Sequence, residues 1–169
     1  ASVQGDKYYM ADGASAFEDG TIDYLNIPAI EIGLKHLESI GYDVIQERVY
    51  SLTGWLLDNL TEMKHINGAP LVRVYGPTKM VDRGGAVTVN FYDRDKQALD
   101  HRFIEQQANE VGISLRTGCF CNPGAGEIAL GISRVELDVC FTQPGHEERL
   151  TVDDFRFCID GKSSGAVRI

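Results

Sequence analysis

Apolar residues recur at helical spacing along two neighbouring stretches of the chain. The first stretch runs from Pro28 to Gly41, and because proline favours the first turn of a helix and glycine its end, the pattern predicts a helix between them. The second begins with capping-box spacing at Asp43 and Gln46 and predicts a helix of about 21 residues. We expect Trp55 to pack beside the second helix. The apolar stripes expected in the core are Ile30, Leu34 and Leu37 in the first helix and Ile45, Val49, Leu52, Leu56, Leu60 and Met63 in the second.

Alternating apolar and polar residues predict strands after these helices. The segments are "LVRVYG" (71–76) and "GGAVTVNFYD" (84–93), with "GISLR" (112–116) as a short third strand and "GAVRI" as the last. Helical spacing returns over 96–111 and briefly from Glu127, whereas 142–165 is predicted as a polar loop. Helices packed on a small, mainly antiparallel sheet make the fold class α+β. Residues 1–26 are expected to be a lead-in segment, with loop over the first twenty, and 27–169 a small domain.

Composition narrows the classes of function. The chain has 169 residues, 43% of them hydrophobic, and a net charge of −9. No basic face is evident, which argues against a nucleic-acid partner, and no apolar run approaches the roughly 18 residues of a membrane span. Four cysteines in a chain of this size, without a signal peptide, favour a reducing cytoplasm. Both ends look cut, so we expect a fragment of a longer protein.

The segment "RTGCFCNPGAG" (116–126) carries the candidate chemistry. It places Cys119 and Cys121 one residue apart behind Arg116. The arginine charge and the backbone amides of a following helix would favour the thiolate, which is the reactive form of cysteine, and three glycines would let the loop move. The residues alone leave three uses open: structural thiols, a nucleophilic or sulfur-carrying cysteine, and metal or redox chemistry. Zinc is the weakest of these, because no second cysteine or histidine pair lies at ligand spacing.

Three blocks resemble one family. "RTGCFCNPGA" is similar to the active-site loop of molybdenum cofactor sulfurases, a branch of the class V aminotransferase and cysteine desulfurase superfamily. "FEDGT" (17–21) resembles the segment beside the cofactor phosphate in that branch, and "IDGKSSGAVRI" (159–169) resembles its closing strand. The blocks occur in order over nearly the whole chain, so the resemblance is specific.

The resemblance implies the small C-terminal domain of a fold-type I pyridoxal phosphate enzyme that takes sulfur from free cysteine. It matches Cys121 to the cysteine that carries the persulfide, with Cys119 auxiliary and Arg116 assisting substrate or thiolate. Arg168 matches the arginine that binds the substrate carboxylate. Gly20 and Thr21 match the positions at the cofactor phosphate. The intact enzyme is expected to be a cytoplasmic homodimer that includes a large N-terminal domain; its sulfur acceptor is not identified.

Two departures from the family qualify this expectation. Gly126 occupies the position at which eukaryotic sulfurases commonly carry another cysteine, which puts cofactor sulfuration itself in doubt. None of the six lysines lies in the family's lysine motif, so this chain is expected to be inactive alone. Two alternatives therefore stand: a class V aminotransferase-like enzyme without sulfur transfer, and a non-catalytic interaction domain with buried thiols.

Overall fold

A computed structural model describes residues 2–3, 5, 7–18, 20–119, 122–145, 150–159 and 161–169. The chain divides into two compact units, Ala1–Gln46 and Glu47–Ile169. The predicted boundary at residues 26 and 27 stays a prediction. Within the described part of the chain, no helix combines the length and apolar character needed to cross a membrane.

The first unit contains more regular structure than its sequence suggests. Strands β1 (Ser2–Val3) and β2 (Tyr8–Tyr9) form an antiparallel pair, and a 3-10 turn covers Gly13–Ala16. Helix α1 (Pro28–Ile40) begins and ends as predicted, with the N–H of Gly41 donating to the carbonyl of Leu37 at 3.0 Å. The expectation that its apolar stripe lies in the core is wrong here, because every residue of α1 is exposed.

Helix α2 (Tyr42–Glu62) has the predicted length of 21 residues. Its buried residues are Thr53, Leu57 and Leu60, whereas Val49, Leu52 and Met63 of the predicted stripe are exposed. Leu60 is buried as predicted and Leu56 is half-buried, but the covered face extends to Thr53 and Leu57, which the predicted stripe did not include. Trp55, expected to pack, is 66% exposed.

A small antiparallel sheet forms the centre of the second unit and confirms the predicted fold class. Its strands in the described part of the chain are β3 (Val72–Tyr75), β4 (Thr88–Phe91), β5 (Arg116–Gly118) and β6 (Ala166–Arg168). They lie in the order β3-β4-β6-β5, and each neighbouring pair is antiparallel. One buried cluster joins this sheet to α2; its members are Leu57, Leu60, Val72, Val87, Val89 and Val167. The third strand was predicted too early, at 112–116: the observed β5 begins four residues later and ends two residues later.

The remaining helices of this unit lie between strands in the sequence, the first between β4 and β5 and the others between β5 and β6. They are α3 (His101–Glu110), α4 (Pro123–Leu130), α5 (Arg134–Phe141) and α6 (Val152–Cys158). Helix α6 lies inside the segment predicted as loop. Both α5 and α6 begin with a complete capping box, Ser133 with Glu136 and Thr151 with Asp154, so the sequence carried a start signal for each of these short helices.

Ionic contacts tie these helices together. Asp100 caps α3 and accepts from Arg102 at 2.6 Å and from Arg156 of α6 at 2.5 Å. The hydrogen bonds from Arg102, together with the Arg156 charge, hold the pKa of Asp100 well below its usual range. Lys162 donates to the carbonyl of Gly131 at 2.7 Å and to Glu136 at 2.5 Å. These contacts fix the segments that surround the candidate site.

Candidate functional site

Strand pairing brings the two predicted site arginines together. Arg116 of β5 lies directly opposite Arg168 of β6, and Arg168 lies opposite Thr88 of β4. Directly opposite residues of an antiparallel pair project from the same face of the sheet. The three side chains therefore share the face opposite Val89 and Val167, which belong to the buried cluster. The guanidinium groups of Arg116 and Arg168, on neighbouring strands, concentrate positive charge on this face where β5 and β6 pair.

A pocket of about 690 Å³ opens on this face of the sheet. Arg168, Thr88 and Tyr75 form part of its wall, and Cys119 lies at the end of β5 in the same wall. The loop and helices that follow add the polar side chains of Asn122 and Glu127 to the lining, together with apolar residues: Leu130, Ile132, Leu137, Phe141 and Phe155. Arg116 is exposed and is not part of the lining. The pocket thus joins a cationic end at Arg168, a thiol, an apolar wall and the carboxylate of Glu127.

Polar groups in the wall suit an anionic or polar ligand. The hydroxyl oxygen of Ser164 is buried and has no hydrogen-bond partner among the described residues, although Ser164 lines the pocket. A buried hydroxyl left without a partner costs about 1–3 kcal/mol, which a bound polar atom would recover. Burial raises the pKa of Tyr75 well above its usual range, and the phenol of Tyr92 raises that pKa further. Tyr75 therefore stays a neutral phenol even at pH values at which an ordinary tyrosine ionises.

The cysteine segment is shorter than the predicted loop over 116–126. Residues 116–118 belong to β5 and 123–126 to α4. Two of the three glycines expected to give mobility, Gly124 and Gly126, therefore lie in a helix. The third, Gly118, ends a strand and has a positive φ of 107°. Asn122 caps α4, its side chain accepting from the N–H of Ala125 at 3.4 Å. Cys119 is exposed, in contrast to the buried thiols of the interaction-domain alternative. Cys121, the predicted sulfur carrier, lies outside the described residues.

A close backbone contact fixes the end of β5. An added side-chain carbon at Gly165 would lie 2.8 Å from the backbone of Gly118. Both glycines line the pocket, and Gly118 precedes Cys119. Position 165 therefore requires glycine, because a methyl group there would overlap the strand that leads to the thiol.

The predicted cofactor residues belong to the first unit. Gly20 and Thr21 are both exposed, and Gly20 has a positive φ of 78°. The structure places Arg168 and Cys119 in one pocket and Arg116 beside Arg168, whereas Gly20 and Thr21 are described only within their own unit. Sequence reasoning missed Thr88 and Ser164. Ser164 lies in the segment 159–169 that resembles the closing strand of the family. The sequence offered one indication of its role, namely a hydroxyl side chain four residues before Arg168.

Comparison with known proteins identifies the family. The sequence profile of the family Aminotransferase class-V matches residues 1–137. A molybdenum cofactor sulfurase of Oryza sativa subsp. japonica is 36% identical over 156 residues, covering 90% of this chain and 18% of the relative. Those of Homo sapiens (32% identical, 100% of this chain, 19% of the relative) and Solanum lycopersicum (37%, 90% and 18%) are similar.

The chain spans about a fifth of the length of these curated relatives. No solved structure matches it. The family implies pyridoxal phosphate as the cofactor of a full-length member. The profile match covers most of the sequence, and the similarity to the sulfurases extends over nine tenths of it or more. The chain therefore belongs to the class V aminotransferase family, within which it resembles the molybdenum cofactor sulfurases.

Proposed function

We propose that this chain forms the substrate-carboxylate and sulfur-accepting part of a pyridoxal-phosphate-dependent cysteine desulfurase or sulfurase-like enzyme. One observation carries the proposal: Arg168 and Cys119, which come from separate sequence blocks, line the same pocket. A volume of about 690 Å³ lies within the range of about 300–1,000 Å³ that is usual for small-molecule and cofactor sites.

The cationic end of the pocket suits the carboxylate of free cysteine. The guanidinium of Arg168 provides a fork of donors that matches two carboxylate oxygens. The hydroxyls of Thr88 and Ser164 lie in the same wall and supply further donors. Arg116, opposite Arg168 in the sheet, adds positive charge without lining the pocket. This arrangement orients an amino acid with its carboxylate toward β6.

The sulfur acceptor in this proposal is Cys121, with Cys119 in an auxiliary role. The thiolate of Cys121 attacks the sulfur of the substrate cysteine, and the carbon–sulfur bond breaks with its electron pair left on the carbon side. That carbon takes up a proton, so the products are a protein persulfide and alanine. The described position of Cys119, two residues before Cys121 and exposed at the pocket wall, supports access of this segment to the substrate.

The donors of the first unit suit the phosphate of the cofactor. Backbone N–H groups around Gly20, with its positive φ, and the hydroxyl of Thr21 are the kinds of donor that hold phosphate groups. When bound, pyridoxal phosphate supplies the electron sink for cleavage of the carbon–sulfur bond. None of the six lysines lies in the family's lysine motif, so we propose that the covalent anchor comes from a large domain outside this chain, in a cytoplasmic homodimer, and that this chain alone is inactive.

Sulfide release from cysteine by the enzyme that contains this chain tests the proposal. Cys121→Ala should abolish release in the presence of a thiol reductant, whereas Cys119→Ala, the matched control two residues away, should reduce it only partly. Retention of full activity by Cys121→Ala would refute sulfur transfer and favour an aminotransferase. Loss of activity in Cys119→Ala alone would exchange the two roles and refute the assignment of Cys121.

Arg168→Lys tests the carboxylate site separately. Lysine keeps the charge but loses the two-pronged geometry, so the KM for cysteine should rise about tenfold or more, equivalent to roughly 1.4 kcal/mol, with a smaller change in kcat. An unchanged KM would remove Arg168 from the substrate site. Native alkylation of the 169-residue chain, followed by peptide mapping, completes the test, because a non-catalytic domain with buried thiols predicts no rapid labelling of Cys121.

A further inference from the structure

A second pair of cysteines lies away from the pocket wall that holds Cys119. Cys140 belongs to α5 and Cys158 is the last residue of α6. The two helices pack against each other, with the rings of Phe141 and Phe155 at a centroid distance of 6.2 Å. The side chain of Cys158 is near enough to raise the pKa of the Cys140 thiol. The two thiols are therefore neighbours at the contact between α5 and α6.

The two sulfurs differ in access to solvent. Cys140 is 0% exposed, whereas Cys158 is half-buried and lines a separate surface cavity of about 490 Å³. Burial, and then the contact with Cys158, raise the pKa of the Cys140 thiol to about 11. A small reagent can thus reach Cys158 directly, whereas Cys140 is closed to reagents from solvent.

We propose that Cys140 and Cys158 form a reversible disulfide that links α5 to α6, with Cys158 as the first thiol to react and Cys140 as the resolving thiol. The oxidant is a low-molecular-weight disulfide. The Cys158 thiolate attacks one sulfur of this reagent, forms a mixed disulfide and releases the first reagent thiol. Cys140 then loses its proton and attacks the sulfur of Cys158, which releases the second reagent thiol. The protein loses two protons and two electrons, and the reagent is reduced to two thiols.

The disulfide would act on the helices that border the candidate site. Phe141 follows Cys140 directly in α5, Phe155 precedes Cys158 in α6, and both rings line the pocket. A covalent link between the helices would restrict the relative movement of these two rings. The proposal goes beyond the proposed function and does not depend on it, because neither thiol belongs to the 116–126 segment.

Oxidised glutathione and thiol counting test the proposal. In a Cys119→Ser/Cys121→Ser double variant of the 169-residue chain, the thiols of Cys140 and Cys158 are the two that remain. We expect the count of reactive thiols in denaturant to fall from two per chain to near zero on oxidation, without bound glutathione, and to return to two with dithiothreitol. Trypsin separates residues 135–149 from 157–162, so mass spectrometry should find these two peptides joined.

A third substitution, Cys158→Ser, provides the control. It should leave one thiol that neither binds glutathione nor disappears on oxidation, because Cys140 is inaccessible. Two persistent glutathione adducts, one adduct on Cys158 beside a free Cys140, or covalent dimers in place of the internal link would each overturn the proposal. Circular dichroism before oxidation establishes that each variant is folded. These readouts are independent of sulfide release, so failure here leaves the proposed enzyme function untouched.

Discussion

Replacement of Gly165 by alanine tests how tightly the cysteine segment is held by the sheet. An added Cβ at this position would lie 2.8 Å from both Cα and the carbonyl carbon of Gly118, and 3.0 Å from its oxygen. Non-bonded carbon atoms are normally about 3.5–4.0 Å apart. The methyl group would therefore overlap the backbone of Gly118 by about 0.7 Å or more.

The overlap cannot be relieved by a side-chain rotation, because the opposing atoms are backbone. Gly118 is paired with Ala166 in the sheet and has a φ of 107°, which a residue with a side chain adopts only with strain. To relieve the overlap, either β5 must move away from β6, or residue 165, which directly precedes β6, must move away from β5. Overpacking of this kind costs about 1–3 kcal/mol, which lowers the midpoint of urea unfolding by roughly 1 M at a typical denaturant slope.

Urea unfolding and the alkylation rate of Cys119 measure the two consequences together. Gly84→Ala is the matched control, since its added carbon meets no atom within 4 Å and its φ is not positive; its stability should change by no more than about 0.5 kcal/mol. Gly165→Ala should be less stable and should alter the alkylation rate of Cys119. Equal unfolding midpoints for the two variants would refute the argument that the Gly118 backbone is fixed against residue 165.

Three further substitutions test other contacts by urea unfolding. Asp100→Asn should destabilise the chain by about 2 kcal/mol at neutral pH. Because the pKa of folded Asp100 is depressed, its contribution is complete above the ordinary carboxyl pKa of about 4 and shrinks steadily as the pH falls toward the depressed value, so a stability gap of the same size at about pH 5 and about pH 2 would contradict the ion-pair explanation. Thr117→Val removes the hydrogen bond from Thr117 to Glu105, 2.7 Å long, and should cost about 1 kcal/mol; no loss would show that this bond does not stabilise the contact between α3 and β5. Gly126→Ala should stabilise the chain by about 0.5–1 kcal/mol, because this glycine lies inside α4 and an added carbon meets open space; destabilisation would instead favour the mobile loop predicted from the sequence.

The limits of α1 and the length of α2 were predictable because local residues determine them. Pro28 and Gly41 mark the two ends of α1 through their own backbone preferences. The buried face of α2 was not predictable in the same way. Leu56 and Leu57 both extend an apolar pattern, and contact with the sheet decides which of them is covered.

The candidate site combines local and long-range information. Family resemblance predicted roles for Arg168 and Cys119, but their common pocket depends on the pairing of β5 with β6, strands that are far apart in the sequence. No local pattern specifies this pairing. Ser164 escaped notice for the same reason, since its hydroxyl acquires meaning only once it is buried beside a pocket without a hydrogen-bond partner among the described residues.

The order of strands in the sheet has a consequence for biosynthesis. β6, near residue 169, lies between β4 and β5, and Ile169 exchanges both backbone hydrogen bonds with Val87. As the chain emerges from the ribosome, β5 therefore has no neighbouring strand from the described residues until β6 has also been translated. We expect the sheet face that carries Arg116 and Arg168 to assemble late. This step closes long loops and is therefore slow.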